Sequence, residues 1–213
     1  MMHIQPTRSL IARCWRKTAA PKTAAVFLLA ALSIFCPLTQ AGVEEGRVKA
    51  QACVACHGAD GNSLIPTIPS IAGQPKQHLV TALFMFREGR RKSDMMVPFA
   101  EKLSNADFND LAAYFNAQKM TPPTAQASAD VVAKGREVTV RNNCVACHTQ
   151  TMGGQQHIPR LAGQHKPYLL DQLKAFKAGT RGDMDGTMTS AAQGLAVGEL
   201  EMLAEYLSTL QLP

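Results

Sequence analysis

Beyond residue 41 the sequence has no cysteine outside two short stretches, no apolar run of bilayer length and almost no net charge. Each absence closes off a class of protein. A membrane span needs about 20 apolar residues, and the apolar run Ala24–Phe35 holds only a dozen. The formal charge of +6 owes five units to Arg8, Arg13, Arg16, Lys17 and Lys22, which precede any acidic residue. The rest of the chain sets 17 basic residues against 16 acidic ones, which removes the electrostatic case for nucleic acid binding. Strand-like runs are missing as well, which argues against a thioredoxin-type redox fold.

The basic start, the apolar run and the small residues Thr39 and Ala41 predict a secretory signal peptide over residues 1–41, cleaved before Gly42. Bulky Phe35 before Cys36 argues against lipoprotein processing there. With the leader set aside, Cys53, Cys56, Cys144 and Cys147 are the cysteines that remain.

They lie in two copies of C-V-A-C-H, and the likeness runs on. "IPSIAGQPKQHLVTALFMFREGRR" from Ile68 matches "IPRLAGQHKPYLLDQLKAFKAGTR" from Ile158, and "MVPFAEKLSNADFNDLAAYF" from Met96 matches "MTSAAQGLAVGELEMLAEYL" from Met188. This is an internal duplication. Residues 42–118 form one copy and 131–213 the other, with a Pro- and Ala-rich linker over 119–130. Leu79, Leu83 and Phe86, matched by Leu169, Leu173 and Phe176, recur at helical intervals, as do Phe108, Leu111 and Phe115 with Leu200, Leu203 and Leu207. A further helix is expected to enter each motif, so the fold class is all-α. Copies of about 80 residues are small enough to need an additional staple.

The cysteines must supply that staple, and their setting narrows how. Disulfide-stapled domains scatter their cysteines between elements. A zinc site would need the two distant pairs to meet, or further local ligands that neither copy offers. C-x-x-C followed by His suits covalent haem attachment, with two thiols for two vinyl groups and the imidazole for the iron. Cys53, Cys56 and His57 are thus the expected site of one haem c, and Cys144, Cys147 and His148 of a second.

Function then turns on what stands opposite each histidine, because a six-coordinate haem carries electrons and an open one binds small molecules. Met96 and Met188 each precede a Leu by seven residues and the first apolar residue of the closing helix by twelve. Their neighbours Met95 and Met184 compete for the role but find no partner at the same offset. His78, His157 and His165 read as exposed polar residues. Arg87, Arg90, Arg91 and Lys92, with Lys174, Lys177 and Arg181, read equally well as a solvated loop or as contacts to haem propionates or an acidic partner.

C-x-x-C-H, I-P-x-(I/L)-A-G-Q and a Met ahead of "LSNADFNDLAAYF", all twice, resemble the dihaem cytochrome c4 family. The resemblance implies two tandem class I cytochrome c domains with haems facing across their interface. It implies the axial pairs His57 with Met96 and His148 with Met188, and carbonyls of Pro69 and Pro159 that accept from the histidines. It further implies a periplasmic one-electron carrier, not an enzyme, working between a quinol-oxidising complex or a dehydrogenase and a terminal oxidase or reductase. Peripheral membrane association is compatible with it. The other class of reading is a dihaem enzyme of peroxidase or thiosulfate dehydrogenase type, or a bound electron-transfer subunit. The lack of a spare cysteine and the matched methionines count against the enzyme.

Overall fold

A computed structural model of the chain describes residues 38–212, with side chains from residue 42 onward. The predicted signal peptide falls outside the described residues except at its end, where residues 38–41 already belong to the first helix. The described residues contain helices and no strand; one isolated bridge joins Gln155 and Ile158. No helix among them is long and apolar enough to cross a membrane.

The first copy runs α1 (Leu38–Lys49), a 3-10 turn (Ala50–Cys53), α2 (Val54–His57), α3 (Lys76–Arg87), α4 (Val97–Ala100) and α5 (Asn105–Ala117). The second repeats it as α6 (Ala129–Arg141), α7 (Cys144–His148), α8 (Lys166–Lys177), α9 (Thr187–Gln193) and α10 (Val197–Thr209). The connecting segment is shorter than the sequence suggests, because Ser128 caps α6 by accepting from Val131 N and so recruits Ala129 and Asp130 into the helix.

Each copy is built on its closing helix. α5 buries Phe108, Leu111, Ala112, Tyr114 and Phe115, and α10 buries Leu200, Leu203, Ala204, Tyr206 and Leu207. Each large apolar side chain in that stripe contributes about 2 kcal/mol. The opening helices cross them at glycine: a Cβ on Gly46 would stand 2.1 Å from Asp110 O, and one on Gly135 2.3 Å from Tyr206 Cγ. Any side chain there would push the helices apart. Ser104 and Asp107 form a reciprocal cap on α5. On α10 alanine replaces the serine, and only Glu199 reaching back to Ala196 N remains.

Basic residues at the ends of the opening helices tie down the same acidic position. Lys49 Nζ lies 2.6 Å from both Asp107 and Asp110, and Arg141 pairs with Glu199. The linker is pinned to the first copy by Asn62, whose side chain donates to Lys119 O and accepts from Thr121 N. Met120 then lies against Gly73 and Gly163, the glycines of the two A-G-Q stretches.

Candidate functional site

Both C-V-A-C-H stretches face one continuous cavity of about 1040 Å³, bounded by α3 and α5 in the first copy and α8, α9 and α10 in the second. The motif helices end at the histidines because the following residue leaves helical space: Gly58 has φ 82 and Thr149 φ 70. His57 and His148 are buried, each 7% exposed. Nδ1 of His57 lies 2.9 Å from Pro69 O, and Nδ1 of His148 lies 2.9 Å from Pro159 O. A carbonyl only accepts, so each Nδ1 carries the proton and each Nε2 keeps a free lone pair. Burial pushes both imidazoles below the usual histidine range, against the opposing pull of the carbonyl, which favours the neutral ligand form.

Cys53, Cys56, Cys144 and Cys147 stand on the wall of the cavity, half-buried beside their histidines, and none of them is joined in a disulfide among the described residues. Burial pushes the Cys53 and Cys144 thiols up.

Met96 and Met188 are half-buried and line the same cavity. Met96 caps α4 and donates its N–H to Ser93 Oγ at 3.2 Å. Met188 sits in the first turn of α9 and donates its N–H to Asp183 Oδ2 at 2.6 Å. Met95 and Met184 touch the cavity too but are 57% and 41% exposed.

The basic cluster divides. Arg91 and Arg181, one from each copy, line the cavity and converge on Gln172, and Arg91 also donates to Tyr168 Oη at 2.9 Å. Each guanidinium lies over a phenylalanine, Phe86 or Phe176, at 4.5 and 4.4 Å. Burial, then Arg91, lowers the Arg181 guanidinium to about 10, and its Nε has no partner among the described residues. Burial works to raise the Tyr168 phenol, but Arg91 and Arg181 outweigh it and hold the phenol below its ordinary value. Arg87 instead lies over Phe108 and donates to Leu103 O, while Arg90, Lys92 and Lys174 are exposed.

The spare histidines are not all loose surface residues. His78 occupies the position in α3 that Tyr168 occupies in α8; burial pushes it down to about 3, and its Nδ1 is 3.2 Å from His157 O. His165 Nε2 is 2.9 Å from Ser63 O in the other copy. Sequence reasoning missed both contacts, because each partner is a backbone carbonyl about 80 or more residues away. It also missed Gln74, Gln164 and Arg160, buried where the copies meet. The repeated A-G-Q was the available signal for the glutamines.

An apolar chamber with paired thiols, neutral histidines presenting a bare Nε2, and arginines that form no ion pair among the described residues fits a haem at each motif. The arginines suit a group that brings its own carboxylates. A helical duplication built around two such sites defines a dihaem c-type cytochrome.

The cytochrome c family model matches residues 43–119 and again 132–211. The chain is 35% identical over 179 residues to a cytochrome c4 of Thiocapsa roseopersicina, covering 78% of this chain and 92% of that one. It is 31% identical over 171 residues to a thiosulfate dehydrogenase electron acceptor of Thiomonas intermedia, covering 75% and 79%. A crystal structure of reduced recombinant cytochrome c4 from Pseudomonas stutzeri superposes with a TM-score of 0.72 at 32% identity, covering 79% of this chain and 98% of that one. The chain belongs to the cytochrome c family as a two-domain member of the cytochrome c4 group, and it is an electron carrier with two covalently bound haem c groups.

Proposed function

We propose that the protein is a periplasmic one-electron carrier, exported by a signal peptide cleaved after Ala41, with cytochrome domains over residues 42–118 and 131–213. Cys53 and Cys56 hold one haem and Cys144 and Cys147 the other. His57 and Met96 are the axial pair of the first, His148 and Met188 of the second. The two haems, when bound, supply the iron whose one-electron change is the function, and thioether ligation favours its reduced form. The chain's own part is to bind, orient and exclude water. Pro69 and Pro159 fix the ring plane and tautomer of the histidines. Ser93 and Asp183 hold the methionine backbones in place.

The observation that carries this reading is the matched presence of Met96 and Met188 on the cavity that both histidines face. Optical and electron-paramagnetic spectra of the oxidised protein test it, with a haem count per chain. Two haems, low-spin iron and a Met-to-iron absorption band are expected. A high-spin iron would remove one methionine, and a single haem would overturn the duplicated site.

The electron donor is a quinol-oxidising complex or a periplasmic dehydrogenase, and the acceptor a terminal oxidase or reductase. The relatives named as thiosulfate dehydrogenase electron acceptors favour the dehydrogenase. Rapid mixing separates carrier from enzyme: thiosulfate alone leaves the oxidised protein unreduced, and addition of a thiosulfate dehydrogenase reduces it. Direct reduction by thiosulfate would favour the enzyme.

A further inference from the structure

Gln74 and Gln164 stand at the same place in the two copies, 4% and 3% exposed, and each commits its carboxamide to the other copy's backbone. Gln164 Oε1 accepts from Ser70 N at 2.9 Å, and its Nε2 donates to Ser70 O at 2.8 Å. Gln74 Oε1 accepts from Arg160 N at 2.9 Å, and its Nε2 donates to Arg160 O at 3.1 Å.

The N–H of Ser70 and the C=O of Pro69 belong to one peptide group. One end of that group therefore accepts from His57 Nδ1 while the other donates to Gln164 across the interface. The second copy has the same chain in reverse: His148 Nδ1 to Pro159 O, then Arg160 N to Gln74. An acceptor on the N–H side polarises the amide and makes its carbonyl a stronger acceptor. A stronger acceptor at Nδ1 makes the imidazole a more basic ligand at Nε2, which favours the oxidised metal.

We propose that each glutamine is a positioning residue for the other copy's haem: Gln164 sets the reduction equilibrium at His57, and Gln74 sets it at His148. This rests on the axial reading above. A glutamine that only held the copies together would shift both haems alike, and would shift them in the same direction whatever replaced it.

The test uses the full holoprotein, its two reduction midpoints resolved by spectroelectrochemical titration and assigned to each haem by hyperfine-shifted NMR signals. Gln164→Leu is expected to favour the reduced form of the Cys53/Cys56 haem by about threefold, the worth of a fraction of one hydrogen bond, with a smaller change at the other. Gln74→Leu is expected to do the reverse. Gln164→Asn, whose amide is one methylene too short to reach Ser70, reads the same shift should leucine prevent folding. Gln164→Glu keeps an acceptor on Ser70 N–H and holds the midpoint at or below the wild-type value. Equal shifts at both haems, a larger shift at the variant's own haem than at the other, or a rise with glutamate matching that with leucine overturns the crossed control alone. A wild-type spectrum without low-spin histidine-methionine character overturns the axial reading and the crossed control with it.

Discussion

The two copies turn the chain after the motif histidine with different residues at the same backbone geometry. Gly58 has φ 82 and ψ 160, and Thr149 has φ 70 and ψ 166. That corner is close to glycine-only, and a β-branched residue there costs about 1–3 kcal/mol. Four residues past each histidine the contrast recurs, Gly61 at φ 85 against Met152 at φ 55. The backbone contacts are nonetheless the same. Gly61 O accepts from Ile71 N and Ala72 N, and Met152 O from Leu161 N and Ala162 N. Met152 offsets its strain by filling the second core, where it is 1% exposed. The duplication has kept the loop's hydrogen bonds and let its residues drift wherever a side chain could find compensation.

The sharpest way to break this equivalence is to exchange the residues. Gly58→Thr should cost about 4 kcal/mol or more and lower haem content, because its Cβ would stand 2.2 Å from Asn62 O, a backbone atom that cannot step aside. The mirror change Thr149→Gly should raise stability by about 1 kcal/mol. The gain is reduced by loss of the Thr149 hydroxyl that accepts from Gly153 N. Thermal unfolding of the two holo variants checks both, and equal losses would mean that the turns are not under different strain.

The residue after each proline gives the next largest difference. Arg160 is 1% exposed, and its guanidinium donates to Ala72 O at 2.8 Å, to Ala162 O at 2.6 Å and toward Met120. Replacing it by serine, the first copy's residue, should cost about 3 kcal/mol in chemical denaturation, because two buried carbonyls lose their donor. Ser70→Ala should cost about 1 kcal/mol. A loss for Arg160→Ser no larger than that would show that water replaces the guanidinium.

The smallest difference is in acid. Lys49, then Ser104, hold the Asp107 carboxyl down at about 2 from its ordinary 3.8. Glu199 is lowered from 4.5 by Ala196 N–H and then Arg141. A carboxyl whose folded pKa is depressed stabilises the fold where it is ionised, and that contribution fades as pH falls through the folded value. Acid should therefore loosen α10 first, from about pH 4.5 downward, and α5 only as pH falls from about 3.8 toward 2. Helix and haem signals followed in an acid titration check the order. Asp107→Asn should remove the first copy's advantage.

The helices were legible from the sequence because their apolar faces are local patterns. Leu79 and Phe86, and the stripe from Phe108 to Phe115, are buried where the periodicity places them. The gathering of the motif cysteines and histidines on one cavity wall follows from C-x-x-C-H, a pattern only five residues long. What could not be read is whatever depends on the partner's position. The A-G-Q glutamine is visible as a repeated residue, but its bonds cross 86 and 94 residues of chain. Thr149 and Met152 offer no local sign of positive φ, since neither is a residue that favours it. Arg91 and Arg181 could not be told from their exposed neighbours, because charge alone does not say which cation faces inward.

The reciprocal glutamine bonds also have the form of an isologous contact, in which one patch meets its own likeness about a twofold axis, as in a homodimer. Fusing the two halves through a short linker replaces concentration-dependent pairing with an intramolecular one, at an effective concentration of about millimolar. Fusion also frees the two sides from having to be identical. In a true dimer an arginine at position 160 would appear on both faces at once, bringing two buried cations together with no carboxylate beside either. In one chain it need appear only once, opposite a serine, so the arginine lodged between Ala72 and Ala162 is a substitution that only a tethered pair can accommodate.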